Sequence, residues 1–229
     1  TKEYFFGFFF FGPHLRKEFT MYVMIDNYDS FVHNLAVYFQ ELGQEIHLIR
    51  NDQVDILALK ELHREGQLDG LLLSPGPKSP KDCGQCLNVL EKMAGLVPIL
   101  GVCLGHQIIG HAWNAKIQKG SRPMHGKVTF LENSQTGLFH GLPRHFLVTR
   151  YHSLIVSEEH FPRQLQIDAR SEDGVIMALS HKTLPIYGVQ FHPEAVLTEY
   201  GHELLANFIN LCEEWRITHE NNIPKTAFL

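Results

Sequence analysis

Between residues 22 and 113 short apolar segments alternate with segments of helical periodicity, and this alternation constrains the fold more than any other feature. The predicted strands are 22–26, 45–50, 70–74 and 97–102. The predicted helices are 30–43, 54–66, 86–95 and 104–113. Strands and helices that alternate at this spacing form βαβ units. We therefore expect an α/β fold with a central, mostly parallel sheet and helices on both of its faces.

Beyond residue 113 the pattern changes to short strands separated by turn residues, which favours antiparallel hairpins added to the parallel core. These strands are predicted at 127–132, 145–151, 164–170, 175–181 and 185–191, and an amphipathic helix at 199–215. We interpret 21–216 as one domain and 217–229 as a loose tail. Residues 1–20 lack the basic start and the cleavage site of a signal peptide. We interpret them as an extension of undetermined origin ahead of a natural start at Met21, outside the fold.

Composition excludes several classes of function. The chain has 229 residues, a formal net charge of −5 and no block of Lys or Arg, so neither nucleic acid nor membrane is an expected partner. No apolar run approaches the roughly 18 residues of a spanning helix. Four irregularly spaced cysteines are too few for a disulfide framework and indicate a reducing compartment. We expect a cytoplasmic protein.

The segment G-V-C-L-G (101–105) places a thiol between two glycines at the end of a predicted strand. This is the form of a nucleophile elbow with sulfur in place of oxygen, and the start of the next helix would favour the thiolate of Cys103. A cysteine in such a place can equally be a small buried hydrophobic residue. The segment alone leaves both interpretations open.

The segment G-V-Q-F-H-P-E (188–194) offers a base for that thiol. His192 ends a predicted strand, and residues i and i+2 of extended chain project to the same side, so Glu194 is expected to contact the imidazole. A carboxylate on one ring nitrogen leaves the other free to move a proton. The alternative is a strand end that carries two unrelated polar residues.

A third segment, S-P-G-P (74–77), follows another predicted strand. Proline has no N–H, so Gly76 carries the only backbone donor between Pro75 and Pro77. With the amide of Leu104 it would make a two-donor oxyanion hole. Taken alone, the segment is equally compatible with an ordinary proline-rich turn.

Along the chain S-P-G-P comes first, G-V-C-L-G second and G-V-Q-F-H-P-E last. With this order and these separations, the three segments resemble the class I, triad-type glutamine amidotransferases. D-N-Y-D-S-F (26–31), M-H-G-K (124–127) and T-R-Y-H-S-L (149–154) narrow the resemblance to the small glutaminase subunits of chorismate-using synthases. The resemblance covers about residues 21–212 and implies a flavodoxin-like arrangement of the α/β fold with the added antiparallel strands.

The resemblance also implies a mechanism and a partner. Cys103 would attack the side-chain amide of L-glutamine, His192 would move protons, and Glu194 would orient His192. The amides of Gly76 and Leu104 would form the oxyanion hole, while Gly76 also contacts the substrate. The remaining substrate contacts would come from Gln107, Ser153 and Leu154. No metal or organic cofactor is implied.

The ammonia would pass to a separate chorismate-binding large subunit, in a heterodimer or larger complex. We favour a synthase of aminodeoxychorismate, in the folate (4-aminobenzoate) branch. The alternatives are anthranilate synthase component II in the tryptophan branch, a subunit shared by both, a partner subunit without catalysis, and a solitary thiol hydrolase of γ-glutamyl compounds.

The sequence departs from this family pattern in three places. Lys78 follows P-G-P where many relatives have Gly, Asn114-Ala115 replaces a frequent Gly pair, and Ala195 replaces a frequent Ser after His-Pro-Glu. The first leaves the backbone donor intact, and Asn114 tolerates the left-handed conformation of a helix end.

Cys83 and Cys86 have C-x-x-C spacing, but no second pair completes a zinc site, so we interpret them as structural.

Overall fold

A computed structural model describes residues 20–219, and its central feature is a nine-stranded sheet with helices on both faces. The strands are β1 (Met21–Asp26), β2 (Ile46–Arg50), β3 (Leu68–Leu73), β4 (Ile99–Val102), β5 (Ile117–Lys119), β6 (Lys127–Asn133), β7 (His145–Arg150), β8 (Leu154–Val156), β9 (Leu165–Ser171), β10 (Ile176–His181) and β11 (Ile186–Val189). The helices are α1 (Val32–Glu41), α2 (Ile56–Arg64), α3 (Cys86–Met93), α4 (Leu104–Ala112) and α5 (Gly201–His219). The predicted α/β class is confirmed.

The sheet has the order β2-β1-β3-β4-β11-β10-β9-β6-β7. Its first five strands run parallel, and the remaining ladders are antiparallel. The sequence pattern assigned β11 to the hairpin region, and β11 does pair antiparallel with β10. It also pairs in parallel with β4, so that Val189 lies opposite Val102. β11 therefore joins the two halves of the sheet.

Alternating side chains of the central strands enter two separate hydrophobic clusters. Tyr22 and Met24 of β1 pack in a cluster with α1 and α5, whereas Val23 and Ile25 pack with α2, α3 and α4. This period of two is what a strand buried on both faces requires. Helices cover both faces of the parallel region, as predicted.

The predicted element ends lie within two residues of the observed ones, except for the end of α5. A two-stranded ribbon of β5 and β8 was not predicted, because strands of three residues carry too little periodicity. Strand β11 ends at Val189, two residues before the predicted end. Helix α5 continues through His219, whereas the prediction ended it at residue 215.

Residues 1–19 and 220–229 lie outside the described residues, and with them most of the predicted extension and of the predicted tail. No helix among residues 20–219 combines the length and the apolar character that a membrane crossing requires.

Candidate functional site

Cys103 occupies a strained turn between β4 and α4. Its φ is 53° and its ψ is −98°, a backbone conformation that costs a non-glycine residue on the order of 1–3 kcal/mol. The Cys103 N–H donates to the Val189 carbonyl at 2.8 Å, and the Cys103 carbonyl accepts from the Gln107 N–H at 3.2 Å. These bonds attach the turn to β11 on one side and to α4 on the other.

The two glycines around Cys103 allow the turn to pack against neighbouring backbone. A Cβ at Gly101 would lie 2.4 Å from the carbonyl carbon and oxygen of Gly105. A Cβ at Gly105 would lie 2.2 Å from the carbonyl oxygen of Leu73, at the end of β3. Real Cβ atoms do not approach backbone so closely, so a side chain at either position would displace the turn.

His192 follows β11, whose carboxyl end lies beside that of β4, so the parallel pairing brings this residue towards Cys103. Its Nδ1 lies 2.6 Å from Oε1 of Glu194, and both residues are at least 98% buried. The expected contact between them is present. The chain makes it in a turn and not in an extended strand, since the Ala195 N–H donates to the His192 carbonyl at 3.2 Å.

The electrostatics of this pair favour the imidazolium form of His192. Burial alone would lower the pKa of His192, but the Glu194 carboxylate and the Cys103 sulfur raise it well above its ordinary value. The His192 Nε2 is buried and makes no hydrogen bond of normal geometry within residues 20–219. One ring nitrogen is therefore committed to Glu194, and the other is available on the side of the thiol.

Two aromatic rings hold the His192 imidazole from the surface side. The ring centroids of Phe31 and Tyr151 lie 5.1 Å and 5.2 Å from that of His192, both in edge-on geometry. His125 packs edge-on against Tyr151 at 5.6 Å and is solvent-exposed. We call Phe31, His125 and Tyr151 the aromatic cap. The three residues come from the segments 26–31, 124–127 and 149–154, which narrowed the resemblance to the glutaminase subunits.

The S-P-G-P loop lies beside the cysteine turn. A Cβ at Gly76 would lie 2.5 Å from Cδ2 of Leu104 and 2.7 Å from Cβ of Asn27, so the two backbone donors are on neighbouring residues. Ser74 fixes the loop, because its Oγ accepts from the Asn27 N–H at 2.8 Å. The Gly76 and Leu104 N–H groups donate no hydrogen bond to another residue within 20–219, so both remain available to a ligand.

Gln107 and Leu154 meet on the other side of the turn. The Gln107 Nε2 donates to the Leu154 carbonyl at 3.0 Å and to Oε1 of Gln190 at 3.1 Å. Ser153 is exposed next to them. Gln190, whose Nε2 lies 3.7 Å from the Cys103 sulfur, was not predicted. It precedes His192 by two residues, so the same i, i+2 spacing that pointed to Glu194 could have indicated it.

The C-x-x-C pair lies in the core near the end of β1. Cys83 and Cys86 are both buried, and the Cys86 thiol donates to Oδ1 of Asn27 at 3.1 Å. No group of three or more potential metal ligands occurs within residues 20–219.

Comparison with known proteins identifies relatives of the chain. The family model "Glutamine amidotransferase class-I" matches residues 23–211. The anthranilate synthase component 2 of Pseudomonas aeruginosa is 47% identical over 194 residues, which cover 82% of this chain and 94% of that protein. The aminodeoxychorismate/anthranilate synthase component 2 of Bacillus subtilis is 46% identical over 189 residues, 82% of this chain and 95% of that protein.

A solved structure adds support from the fold. A Thermoplasma acidophilum protein, described as one of the subunits of a GMP synthase, superimposes with a TM-score of 0.78 at 28% sequence identity, over 90% of this chain and all of that one. The family model spans the chain from β1 into α5. The chain therefore belongs to the class-I glutamine amidotransferase family.

Proposed function

We propose that the chain hydrolyses L-glutamine to glutamate and ammonia through a thioester on Cys103. The observation that carries this proposal is the placement of Cys103 and the His192–Glu194 pair at the ends of two adjacent parallel strands. A thiol, an imidazole and a carboxylate in this order are the parts of a nucleophilic acyl-transfer site.

The first half-reaction forms the thioester. The Cys103 sulfur attacks the side-chain amide carbon of glutamine, and the C–N bond breaks as the His192 imidazolium gives its proton to the departing nitrogen, which leaves as ammonia. In the second half-reaction His192 takes a proton from water, the hydroxide attacks the thioester carbonyl, and glutamate leaves with the thiolate restored. The Glu194 carboxylate holds the imidazole in one orientation throughout.

Two sets of groups support the tetrahedral intermediates and the substrate. The Gly76 and Leu104 N–H groups would donate to the oxyanion, since neither is used by another described residue. Gly76, Gln107, Ser153 and Leu154 would hold the glutamine. Both Gln107 hydrogen bonds are donated by Nε2, which leaves its Oε1 to accept from the substrate.

We expect the substitution Glu194→Gln to lower kcat by about 10²-fold and to move the alkaline limb of the pH profile of kcat/KM to lower pH. Glu194 raises the pKa of His192, so its neutral replacement lets that pKa fall. A step that needs protonated His192 is lost as pH rises through this pKa, and in the variant the loss comes earlier. Glutamate release measured between pH 6 and 10 tests this.

The exposed carboxylate of Glu203 provides the control for this substitution. Glu203→Gln removes the same charge from the surface of α5 and should leave the alkaline limb in place. An alkaline limb at the same pH in Glu194→Gln and the wild type would show that Glu194 does not set the protonation of His192.

We further propose that the ammonia passes to a chorismate-using synthase subunit, because the relatives reported above are named as component 2 of such synthases. The aromatic cap supports a docking site for that subunit, since a partner seated there would change how His192 is held. The sequence favoured aminodeoxychorismate as the product, whereas both relatives' names include anthranilate. We therefore propose service to a synthase of either kind.

Mixing the chain with each purified large subunit, chorismate and glutamine tests this assignment. We expect glutamate release to rise when the matching subunit is added, together with one of the two products, identified by mass and fluorescence. Glutamate release that no synthase subunit changes, with no aromatic product, would favour the solitary hydrolase. Synthesis from ammonia with no glutamate release would favour a subunit without catalysis.

A further inference from the structure

A continuous set of hydrogen bonds begins at a buried arginine that has no part in the proposed hydrolysis. Arg150, 99% buried at the end of β7, donates from Nη1 to Oδ1 of Asp173 at 2.8 Å and from Nε to Nε2 of His152 at 3.1 Å. His152, 95% buried, contacts the Leu154 carbonyl through Nδ1 at 3.0 Å. The imidazole thus bridges a cation and a backbone carbonyl of the proposed substrate site.

The two ends of this bridge determine where the proton of His152 lies. A guanidinium can only donate, and a carbonyl oxygen can only accept. His152 must therefore accept at Nε2 and donate from Nδ1, which makes it a neutral imidazole in one tautomer. Burial and the positive charge of Arg150 lower the pKa of His152 to about 4, in agreement with this assignment.

The same carbonyl continues the set of bonds towards the nucleophile. The Leu154 oxygen also accepts from the Gln107 Nε2, whose amide in turn contacts Gln190, and the Gln190 Nε2 lies 3.7 Å from the Cys103 sulfur. The position of the Leu154 carbonyl therefore sets which way the Gln107 amide faces. Within residues 20–219, Gln107 and His152 are the side chains that donate to this carbonyl.

We propose that His152 is a positioning residue for glutamine: oriented by Arg150, it holds the Leu154 carbonyl and thereby the Gln107 side chain. This inference rests on the proposed glutaminase function, in which Gln107 and Leu154 contact the substrate. His152 does not touch the reacting atoms. Its removal should therefore affect the KM for glutamine more than kcat.

Two substitutions separate the bonds that His152 makes. In His152→Asn the Nδ2 atom takes the position of Nδ1 and keeps the donation to Leu154, but nothing accepts from Arg150. In His152→Gln the Oε1 atom takes the position of Nε2 and keeps the acceptor for Arg150, but the donation to Leu154 is lost. Each variant thus retains one half of the bridge.

Of the two variants, His152→Asn should be the less stable protein and should bind glutamine more tightly. His152→Gln should be the more stable protein and should bind glutamine more weakly. His152→Asn leaves a buried guanidinium N–H unpaired, so it should unfold at the lower urea concentration of the two, with a KM within about twofold of the wild type. His152→Gln should be the more stable variant, because Leu154 keeps its bond from Gln107, but its KM should rise about tenfold. If His152 had only a structural role, the less stable variant, His152→Asn, would also have the higher KM.

The experiment measures urea unfolding, the KM of glutamine hydrolysis, and the Kd of glutamine in a Cys103→Ala background. His47→Asn and His47→Gln, at an exposed position of β2, are the matched controls and should change none of these.

A KM that rises more in His152→Asn than in His152→Gln would overturn the positioning role. A Kd that rises about tenfold in His152→Gln supports it even if the wild type hydrolyses nothing, an outcome that would refute the proposed function alone. A wild type that does not bind glutamine would overturn both.

Discussion

Replacing Cys103 with alanine should abolish glutamine-dependent synthesis and leave ammonia-dependent synthesis by the partner subunit intact. The thiol is the only protein nucleophile that the proposed mechanism uses, and loss of such a group lowers kcat by on the order of 10⁴–10⁶-fold. Alanine is no harder than cysteine to place at a φ of 53°, so the turn should keep its conformation. Product formation with glutamine or with ammonium chloride as the nitrogen source separates the two activities.

The buried cysteine of α5 is the matched control. Cys212 is 99% buried, as a structural thiol would be, and lies in the cluster formed with α1. Cys212→Ala should lose some stability and keep the synthesis from glutamine. Loss of both syntheses in Cys103→Ala would show that Cys103 is structural, which is the interpretation that its own segment left open.

The substitution Gly105→Ala should destabilise the protein by about 3 kcal/mol, although alanine is the better helix former. The added Cβ would lie 2.2 Å from the Leu73 carbonyl oxygen, which belongs to the backbone of β3 and cannot rotate away. At this chain length such a loss lowers Tm by roughly 6–12 °C. Thermal and urea unfolding of the purified variant measure it.

Gly110→Ala, in the same helix, separates the close backbone approach from the general effect of a side chain on α4. A Cβ at Gly110 would meet Cγ2 of Val156 at 2.9 Å, the end of a side chain that can shift. We expect this variant to lose far less stability than Gly105→Ala. Equal losses in the two variants would contradict the role assigned to the Leu73 carbonyl.

The parallel half of the fold could be predicted because each element carries its own period. Tyr22 and Met24 face one cluster and Val23 and Ile25 the other, and the helices between the strands repeat every three to four residues. The place of β11 could not be predicted in this way. Its composition is that of a hairpin strand, and only the edge of β4 that is left free by the other strands makes it a member of the parallel region.

Within the site, Cys103, His192 and Glu194 were predicted, whereas Gln190, Arg150 and His152 were missed. Cys103 lies between two glycines, and Glu194 follows His192 at a spacing that implies contact. Each segment alone left an alternative open, and only the three segments together indicated this chemistry. Arg150 and His152 have the same i, i+2 spacing, but the sequence does not show that both are buried or that Asp173 and the Leu154 carbonyl lie beside them.

The position of β11 also determines when during folding Cys103 can meet His192, its proposed base. Gln190 and Cys103 are 87 residues apart, so the contact closes a long loop and is entropically late. Until β11 inserts between β4 and β10, each of these strands presents an unpaired edge, and His192 is not yet beside the turn after β4. A chain cut before residue 185 would lack the strand that joins the sheet. Assembly of the proposed catalytic centre therefore waits for completion of the fold, so partly folded chains should not hydrolyse glutamine.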